Sequence, residues 1–549
     1  MTTQKIMCLR LFIPFLLGCT LLNGQQQFTR KDSLRGALRM ERNYNVLYYE
    51  LFLKPDISQQ SLEGTLVMEF IPNEALSRIQ LDLVENMDIL KIQEGSHSLE
   101  YRRDFDAVFI QGDFTKGKKE KISVHYKGKP IKAKNAPWDG GFIWQKDSRG
   151  NPWVSVACEG AGASLWWPNK DHLSDEPDLG MKVHITAPEQ LMAISNGKLI
   201  KTSVEQKGMK TWTWEVSYPI NNYNVSLYIG DFIHFTDQYK AKDGALLELN
   251  YYVIRGNEEK AKIHFEQVHK MLESYEHYLG KFPFWKDGYA LVESPFLGME
   301  HQSAIAYGNK YQRGYLGGLI PDEFQFDYII IHESGHEYFG NSVSVNDHAD
   351  MWIHEGFTTY LESLYVEYLF GKKAAVRYLE SQRKLIKNNA PMLGPKEVNY
   401  TQFPDSDLYY KGSWVLQTLR SAIKNDSVWF KLFRGFYEKY QYKNINASDF
   451  ESYVNQFTGK DFTPFFNTYL RSTEIPELMV RIDTTENKTR IFYKINCTEQ
   501  KLELPIEINM DGKIIQLDAI TTERNIQFNR KFKSVKPVST QSLIKIPQA

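Results

Sequence analysis

From about Asn45 to about Asn250 the chain runs in short stretches whose apolar residues alternate with polar ones, and near Asn257 that period of two gives way to helical spacing. "NVLYYELFL" and "GTLVMEF" belong to the first texture, and "NEEKAKIHFEQVHKMLESYEHYLG" opens the second. After Pro476 strands return, with Asp511-Gly512 between two alternating runs as a hairpin turn, and Asn196-Gly197 reads as another. The pattern predicts a multidomain α+β protein. Its parts are an N-terminal antiparallel β domain over 38–250, a mainly α domain over 251–472 and a small C-terminal β domain over 473–549.

With 66 Lys+Arg against 67 Asp+Glu the net charge is -1, so no overall field draws the chain to nucleic acid or to an anionic membrane. Lys5 and Arg10 precede the apolar stretch "LFIPFLLGCTLL", which resembles a secretory signal peptide over residues 1–24 and is too short for a transmembrane span. "LLGC" also approximates a lipoprotein box, which would place a lipid anchor at Cys19. Either reading predicts an exported chain, in the periplasm, the cell envelope or the medium. Past that stretch only Cys158 and Cys497 remain of 4 cysteines, so a disulfide framework is not expected and a bound metal would take its ligands from His and carboxylates.

"IHESGHEYFG" (Ile331 to Gly340) carries such ligands. Four residues apart on a helix, His332 and His336 share one face and can aim a nitrogen at one point, with Glu333 beside it to take a proton from a metal-bound water. Eighteen residues separate His336 from Glu355, a candidate third ligand in "MWIHEGFTTYLESLYVEYLFG". Read blandly, a Glu in the first turn of a helix is common because the helix dipole favours it. The aromatic and aliphatic run Phe324, Phe326, Tyr328, Ile329 and Ile330 reads as core packing that steadies the metal helix.

"HESGHEYFGNSV" and "MWIHEGFTTYLE" resemble the signature of the zinc aminopeptidase family that includes aminopeptidase N and the leukotriene hydrolase: H-E-x-x-H, eighteen residues, then E. The resemblance implies a thermolysin-like catalytic domain, a β-sandwich-like C-terminal domain and one zinc ion held by His332, His336 and Glu355. It implies Glu333 as general base and, through the Tyr-x-Lys-Gly spacing of "LYYKGSWVL", Tyr409 as hydrogen-bond donor to the tetrahedral intermediate. "LGMEH" stands where the family has G-A-M-E-N, so Glu300 matches the glutamate that holds the substrate's α-ammonium, with Gly298 and Met299 beside it; Leu297 and His301 depart from the motif. Glu159, after Cys158, matches a second contact to the amine. His354 stands where the family generally has Asn.

The expected function is removal of N-terminal residues from peptides with a free amine. A thermolysin-type endopeptidase and a non-catalytic peptide-binding protein are the alternatives, and epoxide opening is a specialised third. About 75 residues follow the catalytic segment, so a more open active site is expected than in relatives with a large helical C-terminal domain. Oligomeric state and the preferred first residue are not encoded in any motif.

Overall fold

The computed structural model describes residues 28–538 and 541–546; the leader-like stretch 1–24 and Cys19 lie outside them. Alternation in the first texture builds an eight-stranded sheet. Strand Ser61–Pro72, for instance, buries Leu62, Leu66, Met68 and Phe70 on one face. The sheet is antiparallel except where Tyr44–Asp56 lies parallel to Met181–Pro188, pairing Tyr49 with Met181 through Leu53 with Ile185. A parallel neighbour demands a long crossover. That crossover carries the strand Pro152–Ala157, part of a separate four-stranded sheet.

Asn196-Gly197 is not a hairpin turn. Met192–Ile194 pairs with Tyr228–Gly230 in the four-stranded sheet, whereas Lys198–Val204 pairs with Met209–Val216 in the larger one. The buried Asn196 amide donates to the carbonyls of Asn224 (2.9 Å) and Gln302 (2.8 Å) and accepts from the Ser226 amide (2.7 Å), so long-range partners steer the chain from one sheet to the other. Gly197 makes the switch at φ 77, a region only glycine enters freely. Asp511 and Gly512, at φ 51 and 90, do form the expected tight hairpin between Glu503–Met510 and Lys513–Ile520.

The expected boundary after residue 250 falls inside a strand. Strands β1 (Phe232–Lys240), β2 (Leu246–Ile254), β3 (Tyr289–Glu293), β4 (Gly298–Met299) and β5 (Ile305–Tyr307) form one sheet in the order β1-β2-β3-β5-β4. Its two faces serve different cores. Leu249, Tyr251 and Leu291 pack against the helices, while Tyr252, Ala290 and Val292 join the core of the N-terminal sheets. Alternation alone marks β1 and β2 as strands without saying which sheet they enter, so the pairing moves the break to about Asp231.

Three of the helices among the described residues frame the site. Helix α1 (Tyr328–Gly335) begins at Asp327, whose side chain accepts from the amides of Ile329 and Ile330 at 2.9 and 3.3 Å. Phe324 and Phe326 are buried as expected, but they precede this cap and are not helical. Helix α2 (Trp352–Phe370) is buried from Trp352 to Val366, and α3 (Asp407–Ile423) crosses it at a pair of glycines. A Cβ on Gly356 would sit 2.9 Å from the Gly412 Cα, and one on Gly412 2.7 Å from the Gly356 Cα. Two three-stranded sheets follow, and their apolar faces, through Ile491, Ile506 and Ile508, join the buried cluster of the helices. No helix among the described residues is long and apolar enough to cross a membrane.

The glycine crossing gives the first prediction. Gly412→Ala must push α2 and α3 apart, costing about 1–3 kcal/mol as overpacking does. Thermal denaturation should show a lower melting temperature, and an unchanged one would mean that the crossing is not as tight as its geometry.

Candidate active site

Helix α1 puts His332 and His336 one turn apart with their Nε2 atoms 3.2 Å from each other, and Glu355, in the first turn of α2, brings Oε2 to 3.5 Å from both. The outer nitrogens are already engaged. Nδ1 of His332 donates to Glu362 Oε1 at 2.7 Å, and Nδ1 of His336 donates to the Phe339 carbonyl at 3.0 Å. Both rings therefore turn a bare lone pair inward. Glu355 Oε2 is buried and has no hydrogen-bond partner. Three electron-rich atoms facing one another away from water are unfavourable unless a cation sits among them. Tetrahedral zinc with bonds of ~2.0–2.2 Å holds its ligand atoms ~3.4 Å apart, so these side chains fit that ion.

The charges around this point draw a cation, a proton where no metal is bound. Burial works to raise the Glu355 carboxyl, but the His336 and His332 rings outweigh it and hold the group well below the usual carboxylate range. Burial likewise opposes charge on His332, yet Glu355 and Glu362 overcome it and raise the ring well above an ordinary histidine. Glu362 was not singled out in the sequence. Its other oxygen accepts from Tyr378 (2.6 Å) and Gln382 (3.1 Å), which fixes it behind the metal position. The available signal was its place seven residues after Glu355, two turns along the same helix face.

Beside His332, His336 and Glu355 opens a cleft of about 510 Å³, and all nine residues singled out in the sequence border it. Glu333 lies against β4: a Cβ on Gly298 would stand 2.5 Å from Glu333 Oε1. Burial pushes the Glu333 carboxyl up to about 7, with Glu300 and Glu355 adding to the rise and the two imidazoles opposing it. Glu300 follows Met299 at the edge of the shared sheet, where its Oε1 accepts from the Tyr223 hydroxyl at 3.0 Å. Glu159 reaches the cleft from the other domain. Burial, then Glu300, Glu355 and Glu333, raise its carboxyl well above the usual range. The Tyr409 ring stacks on His332 at 5.8 Å and 23°, while Tyr328 stacks on the same ring at 5.2 Å and 13°.

Of the three departures from the family's motifs, Leu297 borders the cleft and the two histidines turn inward. His301 is fully buried and hydrogen-bonds through Nδ1 to the Tyr228 hydroxyl. His354 is also fully buried, its Nε2 accepting from the Val345 amide at 3.1 Å.

Comparison with known proteins places these features in company. Residues 45–223 match the profile described as the peptidase M1 N-terminal domain, and residues 263–469 match that of the peptidase family M1 domain. A leucyl aminopeptidase of Saccharolobus solfataricus is 22% identical over 515 residues, covering 89% of this chain and 61% of the relative. An aminopeptidase N of Lactococcus lactis is 24% identical over 362 residues, 62% of this chain and 42% of the relative. The chain thus spans about three fifths of the length of the first curated relatives it matches, 61% to 62%. Among solved structures, an M1 zinc metallopeptidase from Deinococcus radiodurans superposes with a TM-score of 0.67 at 20% identity, covering 79% of this chain and 94% of that one. Aminopeptidase A of Legionella pneumophila gives a TM-score of 0.75 at 17% identity over 92% of this chain and 60% of its own.

Two outcomes follow from the geometry. Glu362→Gln should weaken zinc binding by about 10- to 100-fold, as loss of a carboxylate behind a metal-bound histidine does; competition with a chelator measures it, and unaltered affinity would strip Glu362 of that role. Gly298→Ala should leave zinc content intact but lower turnover by about 10- to 100-fold by displacing Glu333, so wild-type turnover in this variant would show that Glu333 tolerates the shift.

Proposed function

Because the chain belongs to peptidase family M1, we propose that it is a zinc aminopeptidase that removes the first residue from peptides with a free N-terminus. The observation that carries this reading is the pair Glu159 and Glu300, which reach one cleft from different domains and stand beside His332, His336 and Glu355. An endopeptidase has no use for two carboxylates at that end of the cleft; a free ammonium does.

Bound by His332, His336 and Glu355, zinc would supply Lewis-acid chemistry, lowering the pKa of water and polarising a carbonyl. Glu300 and Glu159 hold the substrate ammonium and so set the cut at the first peptide bond. Glu333, whose carboxyl is raised toward neutrality, takes the proton of the attacking water and passes it to the leaving amine. Burial and the surrounding carboxylates raise the Tyr409 hydroxyl well above an ordinary phenol, so it stays protonated and donates to the developing oxyanion. Five carboxylates border the cleft (Glu159, Glu300, Glu333, Glu355, Asp405), and no Lys or Arg does among the described residues. Four of them are committed in this reading, Glu355 to the metal, Glu159 and Glu300 to the ammonium and Glu333 to proton transfer.

The proposal includes export, supported by the basic-then-apolar stretch from Lys5 to Leu22; recovery of the chain from the cytosol in cell fractionation would remove that part.

Glu333→Gln should retain zinc and lose about 10²- to 10⁴-fold in kcat, and Tyr409→Phe about 10²- to 10³-fold with KM little changed; steady-state kinetics with metal analysis checks both. A panel of peptides should show cleavage after the first residue when the N-terminus is free and none once the amine is acetylated. Equal rates on acetylated and free peptides would overturn the exopeptidase assignment.

A further inference from the structure

Glu300 does not meet the substrate unassisted. Its Oε1 accepts a 3.0 Å hydrogen bond from the Tyr223 hydroxyl, whose oxygen lies 3.5 Å from Nδ1 of His354. On the far side of the ring, Nε2 of His354 faces the backbone N–H of Val345 at 3.1 Å. A backbone amide can only donate. Nε2 therefore carries the lone pair, and the proton of the neutral ring sits on Nδ1, directed at the Tyr223 oxygen. With its oxygen accepting from His354, the tyrosine hydroxyl turns its proton to Glu300. The donors run in one direction, from Val345 through His354 and Tyr223 to the carboxylate, and each bond polarises the next.

We propose that Tyr223 and His354 are a positioning relay for Glu300, holding the carboxylate that receives the substrate ammonium. The assignment rests on the aminopeptidase reading of the cleft. Relative exposures of 2% for Tyr223, 0% for His354 and 4% for Glu300 leave little room for water to replace either link. A hydrogen bond donated to a carboxylate favours its charged form, the form that pairs with an ammonium. With one oxygen committed to Tyr223, Oε2 is left for the ammonium, and the carboxylate cannot swing without breaking the bond. Tyr223 belongs to the turn Asn222–Asn224 of the N-terminal unit, whereas Glu300 and His354 belong to the catalytic one. The relay therefore ties the amine contact to the docking of the two units.

The test compares two inhibitors that share a zinc-binding hydroxamate, leucine hydroxamate and its des-amino counterpart, on zinc-loaded wild type and variants. Tyr223→Phe, which removes one hydroxyl, should raise the Ki of leucine hydroxamate and the KM of a leucyl amide about tenfold, in line with loss of a bond to a charged group. The Ki of the des-amino compound and the zinc content should not move. His354→Gln keeps an acceptor near Nε2 for Val345 but has nothing where Nδ1 stands, so it should lose discrimination as Tyr223→Phe does. His354→Asn keeps a donor near Nδ1 and should retain most of it. The double variant Tyr223→Phe with His354→Gln should be no worse than Tyr223→Phe alone, because the histidine acts through the tyrosine. Unchanged discrimination in Tyr223→Phe, or equal behaviour of the Gln and Asn variants, or additive losses in the double variant, would overturn the relay. A wild type that binds both hydroxamates equally would overturn the aminopeptidase reading instead, a result distinct from a discriminating wild type whose Tyr223→Phe variant still discriminates.

Discussion

Three lone pairs converge at the centre of this protein, and most of the surrounding structure serves to make them do so. Left to themselves, two imidazole nitrogens 3.2 Å apart and a carboxylate oxygen 3.5 Å from each would turn away from one another or take up protons. They are prevented from turning by what grips them from behind: Glu362 on one ring, the Phe339 carbonyl on the other, and the fully buried first turns of α2 beneath Glu355. The energy needed to hold like against like is drawn from the packed core, and a dication returns it.

The cleft exists because a single sheet is asked to face two ways. With Tyr251 turned to the helices and Tyr252 to the N-terminal sheets, β2 welds the two units along a wide front. The carboxylates Glu159 and Glu300 can then be set by different units and still border one cleft. An interface built on loops alone would leave their separation free to drift, and the ammonium seat proposed for them tolerates little drift.

Local chemistry was legible in the sequence and long-range pairing was not. The spacing of His332, Glu333 and His336 encodes its own geometry, because a helix turns four residues into one face, and Asp511-Gly512 encodes its turn because both residues accept positive φ. Asn196-Gly197 offers the same dipeptide signal and yields a sheet-to-sheet crossing, since the carbonyls of Asn224 and Gln302 claim the Asn196 side chain from far along the chain. The boundary near Asp231 was hidden for a related reason: alternation reports a strand and is silent on its partner. Glu362 left a faint trace in its seven-residue offset from Glu355. Tyr223 left none, being a tyrosine in a short turn whose partners lie 77 and 131 residues away. Glu300 and Glu159 became visible only through resemblance, because one carboxylate among 67 acidic residues carries no local mark.

Where Gly356 meets Gly412, backbone rests on backbone. Most helix contacts have side chains that can change rotamer and absorb a substitution nearby; here there is nothing to yield. The wall of the cleft that presents Glu355 and Tyr409 is thus a fixed datum. New specificity in a protein of this plan has to be written elsewhere on the rim, at positions such as Trp138 and Leu319, where exposed side chains border the opening and can be exchanged without moving the glycine crossing.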